Sequence, residues 1–280
     1  MTLTITDITE SGGAPRVEVL LTGLDAGVAS VTAYRFSRGI EEPVSGVINA
    51  PVAGAGNWID YEVPAQAATY KVELFDAAGE SVGFTEPTSI ELGYTGVWMH
   101  SPFAPSGAVR VSLTPEAVRR LSRPVPGAIV RPKGRRVGVM VSSPRQGLRD
   151  VVFSVHCTDL DSADRIQAFL GDETTRLPPV ICIRVGVDYP GIFRRIRSPL
   201  FLGVLDIPED DVSLRYGGER TLQHIIGDEA ARPAPGLFIP LLRRMDVDAY
   251  YASRGEFDDA YLTRLDANRD YSLAGFADGT

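Results

Sequence analysis

Cysteine is almost missing from this chain: Cys157 and Cys182 are the only two in 280 residues. Two are too few for a disulfide framework, so an apolar core must hold the fold. Both lie in apolar strand patterns, where a reduced thiol packs as a small hydrophobe. Histidine is nearly as scarce, and His100, His156 and His224 fall in separate elements without zinc or catalytic spacing. No apolar run reaches the roughly 18 residues of a membrane span. The start, Met1-Thr2-Leu3-Thr4-Ile5, alternates as a strand and lacks the basic and apolar segments of a leader. Lys133-Gly134 has no phosphate-loop glycines before it, and there is no Gly-x-Ser-x-Gly elbow. A triad assembled through space would escape such a scan. The expectation is a soluble, cytoplasmically made protein that is not an enzyme, with no catalytic residue, metal ligand or cofactor to name.

What is present is uneven charge. The net charge is -8, yet residues 1–100 hold 13 acids against 4 bases, while residues 110–150 hold nine Arg and Lys133 against Glu116 and Asp150. Such asymmetry points to a face that meets an acidic surface. No aromatic-interleaved basic motif is present to mark specific nucleic-acid binding. Two acidic clusters fall short of chemistry. Glu209-Asp210-Asp211 reads as a solvated turn. Asp266-Ala267-Asn268-Arg269-Asp270 begins like a calcium loop, but Tyr271 stands where Gly is needed and Ala277 where the bidentate Glu is needed.

With 44% hydrophobic and 23% charged residues, the chain is expected to fold, and its length allows about two domains. Residues 1–93 carry strand patterns at Leu3–Ile8, Arg16–Leu21, Ser30–Phe36, Gly46–Ile48, Trp58–Val63, Thr69–Phe75 and Gly83–Thr85, with glycine turns between them. Seven short strands suit an immunoglobulin-like or fibronectin type III-like β-sandwich. Residues 94–106 form a linker with an aromatic leading strand, Val97-Trp98-Met99-His100. Residues 107–244 form a second β-domain. Within it Thr114-Pro115-Glu116 is predicted to start a short helix through Leu121. Ala128–Arg131 and Arg136–Ser142 are strands, the latter with Val137, Val139 and Val141 inward. Val151, Phe153 and Val155 alternate as a half-buried strand. Asp159 or Asp161 caps a helix over 160–170 that ends at Gly171, and Val180–Val185 returns as a strand. Leu200–Ile207, Thr221–Ile226 and Leu237–Leu242 complete the domain. Residues 245–280 are aromatic and acidic without a sustained period, with a loose echo at Asp246–Ala249, Phe257–Ala260 and Tyr271–Ala274. They read as an arm with short helical turns.

Four segments resemble a family of minor tail proteins, distal-tail components of long-tailed phages and prophages of actinobacteria. They are Val97–Pro102, Val130–Val139, the Arg149–Phe153 strand with its Leu160–Leu170 helix and Val180–Val185 return, and Ile226–Pro235 with the echoes that follow. Val137 and Gly138 depart from the proline usual in the second segment. The resemblance implies a tail-tube-like β-domain with one packed helix behind the sandwich, and a place at the virion's tail tip. It implies as partners further copies in a hexameric or trimeric ring, the tail tube, tape-measure and other tail-tip proteins, and the host surface. Arg131, Lys133, Arg135 and Arg136 would then meet neighbouring subunits, and an arm bearing Tyr250, Tyr251, Phe257 and Tyr261 would wrap an adjacent one. DNA would pass through a ring's channel without specific contact. A rival expectation is a carbohydrate- or surface-binding module whose sandwich offers Trp58, Tyr61 and Tyr70 for stacking; a cell-wall hydrolase is a third.

Overall fold

The structure is a computed structural model and describes residues 1–171, 177–212, 215, 217–233, 244–251 and 253–261. The chain divides into two compact units, Met1–Arg232 and Pro233–Thr280.

The first unit starts with nine strands: β1 (Thr2–Asp7), β2 (Val17–Thr22), β3 (Ser30–Ser37), β4 (Ile40–Pro43), β5 (Ala50–Pro51), β6 (Ala55–Asp60), β7 (Ala68–Phe75), β8 (Ser81–Phe84) and β9 (Thr88–Ile90). β1, β2 and β6 make one antiparallel sheet. The others make a second, ordered β4-β3-β7-β8, with β5 on β3 and β9 on β7. Period-two patterning explains how the sheets meet. Val17, Val19 and Leu21 from one and Val31, Ala33, Tyr70 and Val72 from the other share a core with essentially no exposure. Gly46–Ile48, expected as a strand, is a turn, and the pairing it was to supply comes from β4 and β5 on β3.

Next come β10 (Val97–Ser101), β11 (Ala104–Leu113), β12 (Gly127–Val130), β13 (Val139–Ser142), β14 (Val151–Cys157), α1 (Leu160–Gln167), β15 (Val180–Val185), α2 (Pro190–Arg195), β16 (Leu200–Asp206), β17 (Glu209–Asp211) and β18 (Thr221–Glu229). Six of them close on themselves in the order β14-β11-β10-β15-β16-β18, with β18 pairing back to β14 from Val151↔Gly227 to Cys157↔Thr221. The result is a mainly β fold with a closed six-stranded barrel. Its interior is filled by Met99, Phe153, Val155, Ile181, Ile183 and Leu202 among others, as small barrels are. Gly227 permits the closure: a Cβ there would lie 2.4 Å from the Gly203 carbonyl oxygen on β16.

α1 packs Ala163 and Ile166 on the barrel, and Phe169 follows in the short 3-10 turn Ala168–Leu170. Asp159 Oδ1 accepts a hydrogen bond from the Ser162 amide at 2.8 Å, the expected N-cap. Gly171 ends the helical segment at φ +79. The helix predicted after Thr114 is instead a turn, because Val118 adopts φ +57 and no helix continues through that conformation. Glu209–Asp211, read as a solvated turn, is β17 and pairs with Thr221–Gln223 of β18.

In the second unit, α3 (Arg244–Tyr250) and α4 (Arg254–Ala260) coincide with the first two acidic–aromatic echoes. The third echo, the Leu237–Leu242 segment and the calcium-like Asp266–Asp270 lie outside the described residues.

Candidate interaction surface

β12 and β13 form a sheet of their own, two strands paired from Gly127↔Ser142 to Val130↔Val139. The ribbon is inserted between β11 and β14, neighbours in the barrel, and its stem is pinned by a Ser122↔Arg149 bridge and by the Gln146 amide donating to the Pro124 carbonyl at 2.9 Å. All eight ribbon residues are exposed. The alternation of Val137, Val139 and Val141 predicts that they point inward, but Val137 is 74% exposed, and Ile129, Val130 and Met140 are also more than half open to water. The alternation is real, but among the described residues no second layer lies beneath it. An isolated two-stranded ribbon is at best marginally stable in water, and unpaired strand edges beside exposed apolar side chains are a template for another chain.

Arg131, Lys133, Arg135 and Arg136 cluster at the tip of this ribbon, all exposed. The tip turns through Gly134 at φ +85, with the Arg135 amide donating to the Pro132 carbonyl at 3.1 Å. None of the four charged side chains has an ion-pair partner among the described residues. Gly138 lets the strands pass closely, since a Cβ there would meet Ile129 Cγ2 at 2.3 Å.

The four aromatic candidates of the second unit come together with one another. Ring centroids lie 4.9 Å apart for Tyr250–Tyr251, 5.5 Å for Tyr251–Phe257 and 5.3 Å for Phe257–Tyr261. Edge-on packing of this kind stabilises a small helical pair. Tyr250 remains half exposed. The glycan-platform candidates fare differently. Tyr70 is fully buried and donates to Asp60 Oδ2 at 2.8 Å, so its ring is closed to a ligand. Trp58 is half-buried over Gly56.

One chemical constellation had no signal in the linear sequence. Ser154 Oγ lies 2.8 Å from His224 Nδ1, and His224 Nε2 lies 3.0 Å from Asp210 Oδ2. β14, β18 and β17 align them, Ser154 and His224 being direct cross-strand partners. Distances alone resemble a nucleophile–base–carboxylate relay. The exposure runs the wrong way for such a relay, with Ser154 6% exposed and Asp210 70%. The arrangement serves to tie β17 and β14 to β18 through one imidazole.

The barrel and the two N-terminal sheets meet over a charged seam. Trp98, His100, Cys182 and Arg184 occupy the positions of β10 and β15 that alternate with the barrel core. All are buried, and Arg184 Nη1 donates to the Pro15 carbonyl at 2.7 Å. Beside them Arg35 Nη1 donates to Asp60 Oδ2 at 2.5 Å, and the Glu62 amide donates to Asp60 Oδ1 at 2.8 Å. Arg232 pairs with Glu62, and Arg197 with Glu42. Burial and the Arg184 charge hold the His100 imidazole well below its ordinary pKa, so it sits there neutral. Burial raises the Cys157 thiol to about 11 and the Cys182 thiol to about 12. Both cysteines are free.

Among the described residues, no group of three or more metal-ligating side chains occurs, and no helix is long and apolar enough to cross a membrane. No protein-family model, curated protein or solved structure matches this chain.

Proposed function

We propose that this chain is a structural subunit that works by assembling with copies of itself, as a minor tail protein in a ring at the distal tail of a long-tailed phage. The observation that carries the reading is the β12–β13 ribbon, whose two strands leave every side chain in water and four cations unpaired at the tip. Apolar area of this kind stabilises a protein only once covered, at about 25 cal/mol per Å2. Charge selects a second copy as the cover: residues 1–100 carry nine more acids than bases, the complement of the cationic ribbon and its flanks. A ribbon reaching from one copy to a different patch on the next is a heterologous contact, and such contacts build a ring when the rotation between copies closes. The phage setting rests on the resemblance of Val97–Pro102, Val130–Val139 and the strand–helix–strand over Arg149–Val185 to tail proteins. The immunoglobulin-like or fibronectin-like character of the sandwich and the tube-like character of the barrel belong to this same reading. In it the second unit's aromatic helices pack on an adjacent subunit and no reacting group is aligned.

The test is light scattering of the full-length protein beside a Val139→Lys/Val141→Lys variant. The parent is expected as a trimer or hexamer at micromolar concentration. The variant is expected as a folded monomer with the parent's far-ultraviolet circular dichroism spectrum, because the ribbon contributes nothing to either core. A parent that stays monomeric, or a variant that assembles equally well, refutes the reading.

A further inference from the structure

A cavity of about 170 Å3 opens at the seam, between the β3–β4 hairpin and the chain that follows α2. Arg35 and Arg38 line it from one side, and Arg195, Arg197 and Ser198 from the other; Glu42 is the one acid in the lining. We propose that this cavity is a binding site for a phosphate group.

The argument begins with charge. Four arginines and one acid line the cavity; that acid, Glu42, is already paired with Arg197, and Arg35 is paired through Nη1 with Asp60. Arg35 is buried, and its Nη2 makes no hydrogen bond, standing 3.5 Å from Glu42 and 3.9 Å from Glu62. Its charge is balanced by Asp60, yet buried N–H donors left without a hydrogen bond are costly, and an oxyanion in the cavity is a group that satisfies them. Arg195 is exposed, and its side chain has no partner among the described residues. Arg38 is held in place by donating to the Ile196 carbonyl at 2.9 Å, which orients its guanidinium in advance of any ligand. Burial and the Arg35 charge bring Arg232 down to about 10, and burial and Arg35 also lower Arg197 against the opposing pull of Glu229.

Shape then narrows the ligand class. The donors come from two facing walls, which suits a tetrahedral anion with oxygens on every side better than a planar carboxylate. The volume is well below the roughly 300–1,000 Å3 of pockets for drug-sized ligands, yet many times the roughly 10–15 Å3 needed for one water. A phosphate, free or carried on a small ester, fits those limits, whereas a whole nucleotide does not.

The deciding experiment is calorimetric titration of the full-length protein at constant ionic strength with inorganic phosphate, methyl phosphate and acetate. Saturable binding of a phosphate and at least tenfold weaker binding of acetate are expected. Arg195→Ala is expected to weaken phosphate binding at least tenfold, about 1.4 kcal/mol, while Arg131→Ala on the ribbon leaves it unchanged. Tighter binding of methyl phosphate assigns the site to an ester and tighter binding of inorganic phosphate to the free ion; either upholds the proposal. No saturable heat, equal binding of acetate, or full affinity in a folded Arg195→Ala protein overturns it.

Discussion

Replacing Asp60 by Ala removes the hub of the seam, and the structure sets how much that should matter. The carboxylate accepts from Arg35 Nη1 at 2.5 Å, from Tyr70 hydroxyl at 2.8 Å and from the Glu62 amide at 2.8 Å, and all three residues are buried. Without it Arg35 keeps its charge but loses its one close acceptor, since Glu42 and Glu62 stand at 3.5 and 3.9 Å. Stranding one member of a buried ion pair costs about 3–5 kcal/mol, a large share of the about 5–15 kcal/mol that holds a typical protein together. Tyr70→Phe removes one hydrogen bond to the same carboxylate and should cost about 1.5–3 kcal/mol. Because both changes act on one group, the double variant should be less unstable than their sum by at least about 1 kcal/mol. Urea unfolding of the four proteins measures each value. A loss under about 1 kcal/mol for Asp60→Ala, or strict additivity, would refute the account of Asp60 as the hub.

Other outcomes follow from single features. His100 is held neutral in the fold, so the unfolded chain takes up one more proton below its ordinary pKa near 6.5. Stability is thus complete above that pH and falls below it, by up to about 1.4 kcal/mol per unit, in excess of a His100→Phe variant. Parallel curves for the two proteins between about pH 6.5 and 5 would contradict this. Asp159→Ala should lose about 0.5–2 kcal/mol by removing the N-cap of α1, with Asp159→Ser close to the parent. Gly227→Ala forces a Cβ onto the Gly203 carbonyl and should cost more than about 3 kcal/mol, read as a drop in denaturation midpoint. Neither thiol should react with a disulfide reagent at about pH 8 until the protein is unfolded, when two should appear.

The parts legible in the sequence were those decided locally. The Val151–Val185 strand–helix–strand was visible because period two gives way to helical spacing between a capping Asp and a terminating Gly, and those cues need no distant partner. What stayed hidden depended on the rest of the fold. β18 closes onto β14 across about 70 residues, and nothing in Thr221–Glu229 specifies that pairing. The valines of 137–141 carry the right alternation for a core strand, yet burial is decided by whether another layer arrives. Ser154, His224 and Asp210 were unremarkable apart, and only the barrel sets them in line. The arginines of the seam cavity were hidden likewise, since Arg35 and Arg197 are 162 positions apart. In the basic region the run of positive charge was plain in the sequence, while its mounting on an unsupported ribbon was not foreseeable.

The packed barrel also limits where any conduit can run. Phe153, Met99 and Ile183 plug its axis, and a six-stranded cylinder is too narrow to hold both a filled interior and a bore. If copies of this chain encircle a passage, its lining is therefore made wholly of outward-facing side chains contributed by several subunits. The width and polarity of that passage would be properties of stoichiometry, alterable by surface substitutions that leave every individual fold intact.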